Sequence, residues 1–388
     1  MPRRERRTMQ HQDTTALSQT GSVSTTPQLS RRIVSLPLDV ILLVLDAVKE
    51  LRTSRYARKT LCSCARTCRA MVRPSQVRLY ADVAISGGKM IEGFGRTITS
   101  NKDLASMVKE LSAHIRSARP APWVLPNEVP LSPQAIRGMA NLRKLSIRGV
   151  APTGSTTLQS SAALKDFILS FAFYCPTIKD LRLARLEFQC YYDLVVYVTA
   201  FRAVETLDFK SVTWSGGGPI PALDDGGSTY CAPELRTLKI TLYRQDRPTW
   251  DFTVGSWGSS IQSLTIHIAN QTREFRGLST FSQLRHFELR MADDDIRTAP
   301  AALLHIKSEH IKTVRIIHEA QMRDMRGWLP TLYEWLCFDE ILSEPPYTSL
   351  TRVTWCLLSN EPDAEGWFLG LPRCFSRLAE RGILVCER

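Results

Sequence analysis

Apolar positions along the chain fall into two regimes. The first is a solid block, Val40-Ile41-Leu42-Leu43-Val44-Leu45, entered through Ser35-Leu36-Pro37-Leu38-Asp39. Ser35 suits a helix N-cap, Pro37 the first helical turn and Asp39 the positive helix end, so the block predicts a helix. With almost every later side chain apolar, that helix needs cover on more than one side. It is far too short to cross a bilayer. Residues 1–34 before it are polar and rich in Ser and Thr, and they predict a disordered tail. A basic stretch from Lys49 to Lys59 follows, as a helical extension or a loop. Leu61, Cys64, Ala65, Cys68 and Met71-Val72 then recur at helical spacing, and Arg73-Pro74 is expected to end or kink that helix. Leu79-Tyr80-Ala81-Asp82-Val83-Ala84-Ile85 alternates as a strand does.

The second regime is a repeat. An apolar residue, two variable ones, an apolar residue, one variable and a third apolar residue recur at Leu142/Leu145/Ile147, Ile178/Leu181/Leu183 and Val204/Leu207/Phe209. The same unit stands at Leu235/Leu238/Ile240, Ile261/Leu264/Ile266 and Leu284/Phe287/Leu289. Weaker copies are Val108/Leu111/Ala113, Ile311/Val314/Ile316 and Leu350/Val353/Trp355. Starts lie between 23 residues (Ile261 to Leu284) and 39 residues (Ile311 to Leu350) apart. Regular leucine-rich repeats run about 20–29 residues, so the array is irregular, and it lacks their asparagine or cysteine after the last leucine. Each unit reads as a short strand whose inward residues cannot be covered alone, so stacked neighbours must build one core.

These patterns predict an α/β chain: a small helical module followed by a curved parallel sheet with helices and loops outside. Phe167–Phe171, Tyr191–Ala200, Leu329–Phe338 and Phe368–Ala379 are the expected helices, and Gly382-Ile383-Leu384-Val385 a closing strand. Pro- and Gly-rich inserts at 118–133 and 214–233 are expected as surface loops.

Composition changes this picture little. The chain has 388 residues, 44% hydrophobic and 23% charged, enough for an ample core. No apolar run approaches the ~18 residues of a membrane helix. Pro2-Arg3-Arg4-Glu5-Arg6-Arg7 leads into Thr, Gln and Ser without an apolar segment, which argues against a secretory signal. A mitochondrial presequence is the weaker alternative, because Glu5 and Asp13 interrupt the segment and spaced leucines are missing. Ten cysteines without an export signal are expected to be reduced, in cytoplasm or nucleus. A net charge of +12 is a mild bias toward acidic partners.

Candidate chemistry is sparse, and neither an enzyme, a cofactor nor a metal is expected. On a helix Cys64 and Cys68 share a face while Cys62 points elsewhere, and no second pair stands at zinc spacing. None of the seven histidines forms a metalloprotease pair; His318-Glu319 lacks the second histidine. Gly216-Gly217-Gly218-Pro219 is not followed by the Lys-Ser or Lys-Thr of a phosphate loop, and no serine sits in a nucleophile elbow. Asp293-Asp294-Asp295 fits a solvated loop better than a cation site.

The stretch 35–85 resembles an F-box. The likeness rests on Leu36-Pro37, Asp39, the aliphatic run to Leu45, Leu61…Cys64…Cys68-Arg69-Ala70, and the exit segment Arg73-Pro74…Gln76…Arg78-Leu79-Tyr80, as in the F-box families abundant in fungi. The repeats over 86–388 are similar, more loosely, to those of F-box proteins with leucine-rich repeats. The resemblance implies that Leu36, Pro37, Val40, Ile41, Val44 and Leu45, with Leu61, Cys64 and Cys68, face a small Skp-type adaptor on a cullin scaffold. It also implies that the repeats hold a protein for ubiquitylation. The basic stretch 49–60 departs from the pattern by separating the two helices more than usual.

Residues flanking the buried pair of each repeat strand are expected on the concave face. They are Lys144, Arg148, Arg182, Lys210, Lys239, Arg290, Arg315 and Arg352, against Asp180, Asp208 and Glu288, with His267 and His286 nearby. Eight cations to three anions, against 50 to 38 for the chain, predict either a basic surface for an acidic or phosphorylated segment or mere scatter in a small sample. Arg148, Arg182, Lys210, Lys239, Arg290 and Arg315 are the candidate target contacts. Two other functions compete. One is a repeat scaffold whose F-box-like helices only cap the array. The other is nucleic-acid binding, against which stands the lack of a basic patch interleaved with aromatics.

Overall fold

The computed structural model describes residues 37–50, 54–116, 131–150, 158–159, 162–216, 234–243, 255–269, 276–292, 299–319, 332–358 and 371–387. Among the described residues the first elements are three helices, α1 (Leu38–Lys49), α2 (Ser54–Thr67) and α3 (Arg69–Ala81). On α1, Ile41 and Leu45 lie one turn apart and meet Leu61 of α2 in a small core, with Val48, Cys64, Met71 and Leu79 half-buried around it. Three fully covered aliphatics at about 1.5–3 kcal/mol each make a thin core, so α1 is also braced by polar contacts. Arg78 of α3 donates from Nε to Asp46 Oδ1 at 2.8 Å and from Nη2 to the Leu42 carbonyl at 3.1 Å.

Several local expectations change here. Pro37 stands just outside α1, in extended geometry at φ −55°, ψ 144°; Ser35 and Leu36 lie outside the described residues. The helix carrying Leu61 ends at Cys68, which is extended at φ −154°, and not at Arg73-Pro74. Pro74 sits within α3. Its missing N–H would have met the Ala70 carbonyl, and Ala70 and Arg73 are both exposed, so water can take that acceptor. Residues 54–59 of the basic stretch form the first turns of α2. Leu79 and Tyr80 end α3 and are not strand, because Leu79 is drawn into the helical core while the strand begins at Asp82.

The strands that follow form, among the described residues, one parallel sheet of twelve. It begins with β1 (Asp82–Ser86), β2 (Glu110–Arg116), β3 (Lys144–Val150) and the short β4 (Leu158–Gln159). It continues with β5 (Asp180–Cys190), β6 (Thr206–Gly216), β7 (Thr237–Tyr243) and β8 (Ser263–Ala269). It ends with β9 (His286–Ala292), β10 (Thr313–Glu319), β11 (Arg352–Leu358) and β12 (Leu384–Glu387). Spatial order follows sequence order, with β4 set aside against β5. The architecture is thus α/β and solenoid-like.

The register explains the repeat. The second apolar position of every copy lines up as Leu111, Leu145, Leu181, Leu207, Leu238, Leu264, Phe287, Val314 and Val353. The third position forms a parallel row two residues on, and both rows are buried, as is the first position of every copy. The two variable positions carry a backbone ladder. The Lys109 carbonyl accepts from both Arg143 N and Lys144 N; Arg143 then accepts from Lys179 and Asp180, and the arrangement repeats through Lys312, Thr351 and Arg352. Because main-chain atoms make these bonds, the side chains there are free to vary.

Hydroxyls ahead of the first apolar residue take up further carbonyls. Thr177 Oγ1 donates to Leu142 O at 2.9 Å, Ser308 Oγ to Leu284 O at 2.8 Å and Ser349 Oγ to Ile311 O at 2.9 Å. Each reaches the first apolar residue of the preceding copy.

The core face is covered by α4 (Gly88–Ser100), α5 (Lys102–Ser106), α6 (Pro133–Gly138), α7 (Ala162–Tyr174), α8 (Tyr191–Ala200), α9 (Ala299–His305) and α10 (Leu332–Ser343); α7, α8 and α10 stand where helices were expected, whereas α4, α5, α6 and α9 were not foreseen. Two insert boundaries shift: Pro133 opens α6, capped by Ser132, and Trp214 belongs to β6, its ring 5.1 Å from that of Tyr191. Residues 118–130 and 217–233 lie outside the described residues. Strands β5 and β6 bend together at Arg185 (φ 54°) and Ser211 (φ 51°), left-handed residues facing each other between the pairs Ala184/Lys210 and Leu186/Val212. At the far end Asp339 of α10 accepts from the Arg377 and Leu378 amides at 3.0 and 3.1 Å, anchoring the last helix, Ser376–Glu380.

Candidate functional site

Two surfaces stand out, and the first is on α1. Its buried stripe is Ile41 and Leu45. Val40, Leu43, Val44 and Ala47, at i, i+3, i+4 and i+7, form the opposite stripe, and all four are exposed. Leu43 is 69% exposed and Leu38, in the first turn, 57%. An aliphatic helix face left in water in this way marks an interaction surface.

The predicted contact residues therefore separate into two groups. Pro37, Val40, Val44 and Cys68 are exposed, and Cys64 is half-buried. Ile41, Leu45 and Leu61 are not available to a partner, because they close the module's own core. Sequence reasoning passed over Leu43 and Leu38, although the helical wheel finds Leu43: it lies next to Val40, at i+3, and opposite Ile41. Leu36 lies outside the described residues. Tyr56 of α2 is a further exposed large side chain.

The second surface is the sheet face turned away from the helices, and it differs from the expectation of a generally basic surface. All eight predicted cations do lie on it. So do the three counted anions, and with them Glu110, Glu319 and Glu387, which the strand-flanking count missed. Lys144 pairs with Glu110 at 3.1 Å, Arg182 with Asp208 at 3.0 Å, and Arg290 with Glu319. Arg315 meets Glu387 at 3.1 Å and Glu288 at 3.9 Å, and Arg352 meets Glu387 at 2.9 Å. With Asp82 and Glu187 also on this face, charges are close to balance. Cross-strand partners come from adjacent or next-but-one strands but lie far off in sequence, so a tally of local positions overstates the cations.

Charge is nonetheless sorted by row. The row nearest the strand starts reads Asp82, Glu110, Lys144, Asp180 and then neutral residues up to His286. The middle row alternates, with Arg182, Asp208, Lys239, Thr265, Glu288 and Arg315. The next row reads His114, Arg148, Ala184, Lys210, Thr241, His267 and Arg290, with no acid between β2 and β9. Burial pushes the pKa of His267 down; Glu319 opposes the shift, while Arg290 and Lys210 add to it.

Among the described residues, no group of three or more His, Cys, Asp or Glu is placed to hold a metal, and no helix is long and apolar enough to cross a membrane. Cys62 and Cys68 are exposed thiols; Asp293-Asp294-Asp295 lie outside the described residues.

No family model matches the chain, and no curated protein matches it. Among solved structures, the crystal structure of a Bacteroides fragilis protein, a structural-genomics target, is similar at 12% identity. It has a TM-score of 0.31 over 62% of this chain and 68% of that one.

Proposed function

We propose that the chain is the substrate-recognition subunit of a cullin ubiquitin ligase. Its helical module, read as an F-box, docks a Skp-type adaptor, and the open sheet face binds the protein to be modified. In this reading the chain performs no catalysis itself and acts in cytoplasm or nucleus. The observation that carries the proposal is the unpartnered stripe Val40, Leu43, Val44 and Ala47 beside the residues that carry the F-box resemblance. Helix-in-groove docking is the usual way such a face is covered. The test is titration of a Skp-type adaptor into the purified chain, with Leu43→Asp as the variant. Binding that Leu43→Asp abolishes is expected, and equal binding by both proteins would reject the docking face.

A second reading has its own support. α3 runs directly into β1, and Arg58 Nη2 donates to the Asp82 carbonyl at 3.0 Å, so the module sits on the first strand as a cap would. A cap, however, needs a polar outer face, and the outer face of α1 is aliphatic.

A further inference from the structure

Residues 51–81 hold Lys59 and seven arginines without one Asp or Glu, against 50 cations to 38 anions in the whole chain. The fold engages two of these arginines, Arg58 through the Asp82 carbonyl and Arg78 through Asp46 and the Leu42 carbonyl. Lys59, Arg66, Arg69 and Arg73 are exposed, and among the described residues no side chain pairs with any of them. We propose that these four cations, at the corner where α2 turns into α3, bind the phosphate backbone of a nucleic-acid duplex. The inference goes beyond adaptor docking and does not rest on it, because the stripe on α1 takes no part.

The helices hold the four cations outward. Ala57 and Leu61 of α2 are buried and Met71 of α3 is half-buried, so the inner faces serve the module itself. Lys59 and Arg66 lie opposite Ala57 on α2, and Arg69 and Arg73 opposite Met71 on α3. Along the helix axes, Lys59 to Arg66 is about 10 Å and Arg69 to Arg73 about 6 Å. Only Cys68 separates the two helices, so Arg66 and Arg69 stand within about 11 Å of each other. Arg69 opens α3, at the positive end of that helix, where a cation costs stability. Its place suits an anion supplied from outside.

Several features favour a duplex. A duplex strand carries one charge per about 3.4 Å of axis, so cations about 6–11 Å apart would meet every second or third phosphate. A protein surface carries both signs, whereas a corner without a single acid fits a partner of one sign throughout. Single strands need aromatic platforms, and Tyr56 is the one fully exposed aromatic on α2 and α3 among the described residues. A membrane surface needs an apolar face beneath the cations, and Cys62, Ser63, Thr67 and Ala70 stand among them instead.

The experiment is fluorescence anisotropy of labelled duplexes of about twenty base pairs, titrated with the full chain across a salt series. A DNA and an RNA duplex of one sequence are run side by side; binding to either supports the proposal and names the source. Four phosphate contacts predict a slope of log K against log salt of about −3.6, and Arg66→Gln/Arg69→Gln/Arg73→Gln should bring it to about −0.9, with affinity down roughly tenfold or more. Arg285→Gln/Lys307→Gln/Lys312→Gln removes the same charge at exposed positions by β9 and β10 and should keep the parent's slope. If the first triple variant melts below the parent, Arg66→Gln/Arg69→Gln decides, with an expected slope of about −1.8. The proposal is overturned by equal losses in both triple variants, by no binding of either duplex, or by tighter binding of a single strand. Tighter binding of oligoglutamate or of phosphatidylserine vesicles through the same arginines overturns it too. Leu43→Asp should bind duplex as the parent does, so failure of docking and failure of this proposal are read separately.

Discussion

Leu43 and Leu45 stand two residues apart on α1 and face opposite ways, so truncating them should separate docking from folding. Leu45 is fully buried against Leu61, and Leu45→Ala should cost about 2–5 kcal/mol. The helical core is thin, so that loss should loosen α1 from α2 and α3. Leu43 is 69% exposed. Its removal should leave stability within about 0.5 kcal/mol. If a partner groove covers the remaining two-thirds of a leucine worth about 1.5–3 kcal/mol, truncation should weaken docking by about 1–2 kcal/mol, roughly 5- to 30-fold. Leu43→Asp should do more, by placing an unpaired carboxylate in the groove. The assay is calorimetric titration of a Skp-type adaptor into each purified variant, with thermal unfolding alongside. A Leu43 variant that binds as tightly as the parent would refute the reasoning. So would a Leu43 variant that unfolds as readily as Leu45→Ala, since it would mean that the stripe is covered from within the chain.

Other outcomes follow from the core. Leu207→Ala, in the middle of the buried row, should destabilise the array by about 2–5 kcal/mol in denaturant titration. Tyr347→Phe removes a 2.6 Å hydrogen bond to the buried Leu303 carbonyl and should cost about 1–2 kcal/mol by the same measurement. Burial pushes the Cys175 thiol from 9.0 up to about 12. It should therefore resist iodoacetamide in the native chain while Cys62 and Cys68 react, as peptide mapping would show. The folded state keeps this proton after the unfolded state has lost it, so the thiol's contribution should be lost as pH rises from about 9 to 12.

The sheet was legible because its signal is local and repeated. Three buried positions per strand recur nine times, and each keeps its place in the register even where the copies are degenerate, as at Val108/Leu111/Ala113. The ladder on the variable positions left no trace in the sequence, because any residue except proline can make it. Near the N-terminus the reading failed where two tendencies compete. Pro74 pointed to a helix end, but an exposed turn tolerates it, and Leu79-Tyr80 alternated with Val83 and Ile85 while belonging to α3.

Helix α1 was found from its apolar run, although that run could not say which side faced in. Only the contact with Leu61 separates Leu45 from Leu43. The open face was misjudged for a related reason. Arg315 and Glu387 are 72 residues apart in sequence, and Arg290 meets Glu319 from the next strand. Such neutralising partners become visible only once the strands are in register.

Hydrogen–deuterium exchange on the full chain, with and without a Skp-type adaptor, asks most directly whether another protein completes α1. Slowed exchange in the peptides covering Leu38–Lys49, with the strands from β5 to β9 unchanged, is the predicted result. Exchange in α1 that is the same with saturating adaptor as without it would contradict the account.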